Sequence, residues 1–196
     1  MNIIDFTKTL KDVYGAGKKA REVKVAPGAF IAVDGKGRPG GDVFQKAVMD
    51  VYSTVYPLKF MLKFGGVLDF KICALECLWF SKPTTPMMQW EWRVMVRIPA
   101  EVTAARVRAA QKQTLEKKGT DVSAAKRIKW KGGRALQVLH VGPYDRVCAA
   151  YEVLGAFASE HGYTVTGPGH EIYLNDPRRT APERLKTIVM LFVAKR

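Results

Sequence analysis

The apolar positions of this chain change period several times, and each change predicts an element. From Phe6 to Tyr14 they suit a short amphipathic helix, closed by Gly15 and Gly17 and followed by a basic lead-in to Pro27. A strand, Phe30 to Val33, then enters the glycine-rich turn Gly35 to Gly41. Beyond it Asp42 and Gln45 are spaced as a capping box, and Phe44, Ala47, Val48, Val51 and Val55 share one helical face. Pro57 is expected to end or kink that helix. Leu68 to Phe80 reads as strand. Gln89 to Ile98 alternates, with Trp90, Trp92, Val94, Val96 and Ile98 on one side and Glu91, Arg93, Met95 and Arg97 on the other. Pro83 and Pro86 join the two strands.

Thr103 is placed to cap a helix that runs to about Lys118 and stops at Gly119. Lys126 to Lys131 reads as a basic linker. The order then recurs: strand Ala135 to Val141, turn Gly142-Pro143-Tyr144, a helix from Asp145 through Val147, Tyr151, Leu154 and Phe157 to Gly162, and strands His170 to Leu174 and Leu185 to Ala194. Two strand-helix-strand-strand (βαββ) units predict an α+β fold with a pseudo-twofold axis, the repeat lying in element order more than in residue identity. The expected division is an N-terminal helical appendage over 1–27 and a domain over 28–196. Within that domain, repeat one covers about 28–99, a linking helix 103–118, and repeat two about 134–196.

Composition changes this picture little and charge changes it more. With 196 residues, 47% apolar and 26% charged, the chain has the make-up of a globule that buries a core, which excludes disordered, collagen-like and membrane-embedded classes. Thirty-two basic residues against 18 acidic ones leave a formal charge of +14. Cys73, Cys77 and Cys148 have neither disulfide-framework nor zinc spacing and read as reduced thiols, so no metal or other cofactor is implied. The opening Met1-Asn2-Ile3-Ile4-Asp5-Phe6 lacks a signal-like apolar core and no apolar run reaches spanning length. A cytoplasmic protein without a membrane partner is expected. The stretch before Pro27 is too short for a helix-turn-helix module, so direct gene regulation is not expected.

Three motifs have plainer explanations than chemistry. Gly35-Lys36-Gly37-Arg38-Pro39-Gly40 matches the dinucleotide fingerprint, but the strands after it alternate as antiparallel ones do, which favours a turn. Lys126, Arg127, Lys129, Lys131 and Arg134 surround Trp130 and could meet phosphates and stack a base, so nucleic-acid or polyanion binding is the alternative function. The basic residues are scattered rather than striped, which favours a solvated segment and no specific nucleic-acid partner. His140, His161 and His170 have no metal-ligand spacing, and no nucleophile elbow supports a triad. His140 and His170 sit on strands where they could orient neighbours.

The remaining constellation is acidic and aromatic. Glu76-Cys77-Leu78-Trp79-Phe80 and His170-Glu171-Ile172-Tyr173 each put an acid near a large ring on the middle strand of a repeat, with Trp90 and Trp92 on the strand after the first. An acid on an apolar strand is costly to bury without a partner. Two readings stand at this point: Glu76 and Glu171 pair with Arg93, Arg97 or Arg179 over an aromatic core, or they face a ligand. Strict alternation sends Glu76 and Trp79 to opposite faces, whereas Glu171 and Tyr173 share one.

At these residues the sequence resembles the GyrI-like (gyrase-inhibitor-like) effector-binding family, in its free-standing form. The resemblance rests on Phe30-Ile31-Ala32-Val33-Asp34-Gly35-Lys36-Gly37, Tyr52 with Tyr56 to Phe60, Leu75-Glu76-Cys77-Leu78-Trp79, Trp90-Glu91-Trp92, His140-Val141-Gly142-Pro143-Tyr144 and His170 to Arg179. It implies an antiparallel sheet forming a concave groove for flat aromatic, often cationic, small molecules, so that residues 28–196 form the effector-binding domain. Drug or toxin sequestration is the implied role. Glu171 would be the floor acid and Tyr144 its proton-handling partner, with Trp79, Trp90, Trp92, Tyr173, Glu76, His140 and His170 as ligand-binding candidates. Some free-standing relatives are similar to hydrolases that open strained cyclopropane rings of DNA-alkylating compounds, which makes hydrolysis through Glu171 the implied chemistry. Cys77 and Phe80 stand where the family often has Gly and Trp.

Overall fold

A computed structural model describes residues 3–196; Met1 and Asn2 of the N-terminal stretch lie outside the described residues. In chain order the elements are β1 (Ile3–Ile4), α1 (Phe6–Thr9), α2 (Lys11–Tyr14), β2 (Arg21–Val25), β3 (Gly28–Lys36), α3 (Asp42–Phe64), β4 (Asp69–Phe70), β5 (Leu75–Trp79) and β6 (Glu91–Ile98). They continue with α4 (Ala104–Lys118), β7 (Lys126–Trp130), β8 (Gly133–Val141), α5 (Cys148–Glu160), β9 (Tyr163–Tyr173) and β10 (Lys186–Lys195). The fold class is the α+β one expected; the main strand pairing is antiparallel, and the short β1-β4 pair is parallel. The chain sorts into two compact units.

The first unit holds residues 3–6, Pro27–Cys73 and Ser81–Lys131. Its sheet runs β6-β3-β7, with Ile31 opposite Val96 and Arg127. Helix α3 buries Phe44, Ala47, Val51 and Val55 of the periodic face read from the sequence, leaves Val48 half-buried, and extends the face through Leu58 and Leu62. Two expectations about this helix change. No capping box forms, because Gly41 is the N-cap and Asp42 already lies in the first turn, where its charge suits the helix dipole. Nor does Pro57 end the helix. A proline removes the N–H that would bond the carbonyl four residues earlier, and here the Thr114 hydroxyl of α4 is shared between that carbonyl, Ser53, at 3.1 Å and the Ala110 carbonyl of its own helix at 3.0 Å. Thr103 caps α4 through the Arg106 N–H, and Gly119 stops it in the left-handed conformation with φ 64°.

The glycine-rich turn is a seat for an indole. A Cβ on Gly35 would lie 2.2 Å from the Trp92 ring, and the Trp92 Nε1 donates to the Gly37 carbonyl at 3.0 Å. Lys126–Trp130, expected as a linker, is instead an edge strand on β3, with Lys126 and Lys129 exposed as charged edge residues usually are.

The second unit holds Thr7–Ala26, Ala74–Phe80 and Gly132–Arg196. Its sheet order is β2-β8-β10-β9-β5, antiparallel throughout. The basic lead-in is therefore a strand, and the N-terminal segment read as an appendage supplies it. The strand-like run Leu68 to Phe80 breaks into β4 and β5, and β5 pairs with β9. One face of this sheet packs on α5 through Leu136, Val138, Leu154, Val189 and Val193. On the other, Tyr14 of α2 reaches Glu76.

Candidate functional site

Strand alternation sorts the second unit's polar residues onto two faces. Glu171 of β9 is the register partner of Cys77 on β5 and Val189 on β10, so its side chain shares their face, the one covered by α5. Its neighbours along that face are Tyr173, two residues on, and Gly169, two residues back. Tyr151 comes down from α5. It lies where a Cβ on residue 169 would stand, 2.7 Å from the phenol oxygen, so only glycine leaves room for it.

The carboxylate that results is 6% exposed and held by phenols: Tyr151 donates to one oxygen at 2.9 Å and Tyr173 to the other at 2.8 Å. Burial raises the Glu171 pKa. Hydrogen bonds from Tyr173 and Tyr151, and then the nearby Trp79 indole and His170, act in the opposite direction without cancelling the rise. Burial and the negative charge of Glu171 push Tyr151 and Tyr173 well above the ordinary phenol value, so both remain protonated donors. Tyr144 stands edge-on to Tyr173 with ring centroids 5.4 Å apart. It is 36% exposed, and burial, then the charges of Glu171 and Asp176, raise its pKa.

Across the strands, His140, Thr187 and Tyr173 form one row on this same face. The His140 Nε2 donates to the Pro143 carbonyl at 3.1 Å, which fixes the turn carrying Tyr144. The Thr187 hydroxyl is buried without a hydrogen-bond partner, an orphan polar group beside Tyr173.

Glu76 and His170 lie together on the opposite face. Glu76 accepts from the Tyr14 hydroxyl at 2.6 Å and from His170 Nε2 at 2.8 Å, and both residues are about 1% exposed. They form a polar core pair, and their rank as ligand contacts has no geometric support on the Glu171 face. Trp90 and Trp92 belong to the first unit. The Trp90 Nε1 donates to the Thr85 carbonyl at 2.7 Å, while Trp92 is 1% exposed and edge-on to Phe44, which makes it core rather than a stacking wall. The arginine reading of the acids does not hold either: Arg93 clasps Asp34, Arg97 lies over Phe30, and among the described residues no cation pairs with Glu171. Tyr151 is the residue that sequence reasoning missed. It was counted in the apolar stripe of its helix, and the signal that could have found it is Gly169, a side-chain gap one position before His170.

Among the described residues no group of three or more His, Cys, Asp or Glu could hold a metal ion, and no helix is long and apolar enough to cross a membrane. Cys73 and Cys77 are buried thiols and Cys148 is exposed.

The chain is similar to an uncharacterized conserved protein from Listeria innocua of known crystal structure, with 32% identity, 97% of this chain and 100% of that one covered, and a TM-score of 0.91. It is likewise similar to two proteins from Listeria innocua described as hydrolases. One has 34% identity, coverage of 97% and 100%, and a TM-score of 0.87. The other has 31% identity, coverage of 98% and 100%, and a TM-score of 0.89. No curated protein matches the chain. Residues 95–193, which include β8, α5, β9 and most of β10, match the model of the GyrI-like small molecule binding domain. The chain belongs to the GyrI-like small-molecule-binding family.

Proposed function

We propose that the Glu171 face binds a flat aromatic electrophile and hydrolyses it, with Glu171 as general base and Tyr144 or Tyr173 as the acid. The observation that carries this reading is a carboxylate buried to 6% whose direct partners are neutral donors, so its charge is hydrogen-bonded but not cancelled. A proton-accepting group works best with its pKa near the working pH, and burial moves Glu171 in that direction. The resemblance to two proteins described as hydrolases supports the chemistry.

In the proposed step a water gives a proton to Glu171 as its oxygen bonds to a strained ring carbon. The ring carbon–carbon bond breaks, and its electron pair passes to a conjugated oxygen of the substrate. A phenol protonates that oxygen and recovers its proton from Glu171, so water is the only reagent consumed. Trp79 and the tyrosine rings would hold the planar body, and a cationic ligand would gain about 0.5–2 kcal/mol from a ring face in addition to the attraction of the acid. The same contacts suit a role in toxin or drug sequestration.

The test uses a cyclopropane-bearing cyclohexadienone as substrate and a planar dye cation as ligand. Glu171→Gln is expected to abolish ring opening, followed by product analysis, while dye binding still quenches tryptophan fluorescence. Trp79→Phe is expected to reduce that quenching. Ring opening at the wild-type rate in Glu171→Gln would overturn the catalytic assignment, and wild-type quenching in Trp79→Phe would overturn the placement of the ligand.

A further inference from the structure

The second unit carries a concavity, about 340 Å³ in volume, at the end of the sheet where β9 turns into β10. Its size is at the lower end of the range of small-molecule sites, about 300–1,000 Å³. Arg179, Arg184 and Lys186 line it against a single acid, Glu183. Among the described residues none of these three cations is in an ion pair with a carboxylate. The neighbouring Arg178 is instead held by Asp176 through two bonds of 3.0 and 2.9 Å, and Arg179 feels that acid only at longer range.

The loop that carries these charges is tied down by its own hydrogen bonds. Asn175 Oδ1 accepts from the Lys186 N–H at 2.7 Å, the Arg179 N–H donates to Asp176 at 3.0 Å, and the Arg184 N–H donates to Ala181 at 2.9 Å. Across the mouth the Gly142 N–H donates to the Leu185 carbonyl at 2.9 Å. These bonds hold the backbone that presents the charges, so the ordering cost of binding falls on the exposed side chains alone.

This concavity is separate from the Glu171 site. Thr187 is the register partner of Tyr173 and so shares the Glu171 face, whereas Lys186 and its partner Val141, one residue away, are turned to the other face. We propose that it is a second binding site, for a small organic dianion with a compact oxyanion head, either a phosphate monoester or a dicarboxylate. Three cations around one hollow match the fork and point-charge geometry that such heads require. The body attached to the head would occupy the remaining volume beside Val141 and Thr180.

Calorimetric titration of the full chain with inorganic phosphate and, separately, with malonate tests the proposal and distinguishes the two heads. Saturable binding of at least one is expected. Arg179→Ala or Arg184→Ala should weaken it about threefold to fivefold each, the upper end for an exposed charge pair, and together about tenfold or more. Glu183→Gln should tighten it, an opposite sign that general loss of structure would not give. Lys129→Ala, an exposed change on β7, should leave it unaltered. Absence of saturable binding by both anions would overturn the proposal. So would equal weakening by Lys129→Ala and Arg184→Ala, because the anions would then be reporting the overall charge of +14. None of these changes should alter dye quenching at the Glu171 face.

Discussion

Removing the Tyr151 hydroxyl is the most direct probe of the buried acid. Tyr151→Phe keeps the ring that lies over Gly169 and deletes one donor, 2.9 Å from the Glu171 carboxylate. A hydrogen bond to a charged group contributes about 1.5–3 kcal/mol, so the ionised form loses at least about 1.5 kcal/mol relative to the protonated one. That is about tenfold in the acid's ionisation constant. The direction is fixed by geometry: burial already raises the Glu171 pKa, the phenols oppose that rise, and losing one moves the acid further up. The acidic limb of the pH–rate profile, or the carboxyl-carbon NMR titration of Glu171 where no turnover is followed, should move to higher pH. Tyr173→Phe should do the same through the other oxygen, at 2.8 Å. An acidic limb that stays in place in both variants, in protein that melts as the wild type does, would refute the reasoning.

Three further outcomes follow from the same structure. The folded state holds the Glu171 proton more tightly than the unfolded chain does, so the stability from that proton is complete below the unfolded pKa and is lost as pH rises through the folded one. Glu171→Gln should therefore gain stability relative to wild type between pH 4.5 and neutrality in urea unfolding, and a difference that does not change with pH would contradict the raised value. Gly169→Ala should push Tyr151 off its seat at a cost of about 1–3 kcal/mol of overpacking, with dye affinity falling in parallel; an unchanged affinity would show that Tyr151 has no part in the site. Thr114→Val should cost about 1–3 kcal/mol in thermal unfolding by leaving the buried Ser53 carbonyl without a donor. That cost should shrink in a Pro57→Ala background, where residue 57 regains its N–H, and an undiminished cost would mean that the two are not linked.

Periodicity made the regular parts of the fold legible. The buried face of α3, the Thr103 and Gly119 caps and the strands β6, β8 and β10 are local patterns, and local sterics and burial decide them. What it could not supply was pairing. Arg21–Val25 and Lys126–Trp130 are too charged to read as strands alone and become strands because β8 and β3 offer them a free edge. The passage of α3 through Pro57 was hidden for the same reason, since the donor that rescues the Ser53 carbonyl lies 61 residues further along the chain. Of the candidate site, Glu171 and Tyr173 were visible because they share a face two residues apart. Tyr151 was not, because its role depends on a glycine in a different element.

Two buried acids in one unit differ in the chemistry of their partners. Glu76 and Glu171 sit on adjacent strands, and consecutive residues of β9 serve them: His170 turns to Glu76 and Glu171 turns away. Glu76 receives an imidazole N–H and a phenol that ties α2 to the sheet, so both its oxygens are matched by donors. Removing one member of such a group is expected to cost about 3–5 kcal/mol, because the rest is left buried and unmatched. Glu171 accepts from the neutral phenols of Tyr151 and Tyr173. A fold that needed no ligand would gain by replacing such an acid with an apolar residue, since the desolvation is never repaid by a counter-charge. Under the proposed function a ligand would complete the electrostatics of this acid beside the Thr187 hydroxyl, through a cation or through the proton of an attacking water.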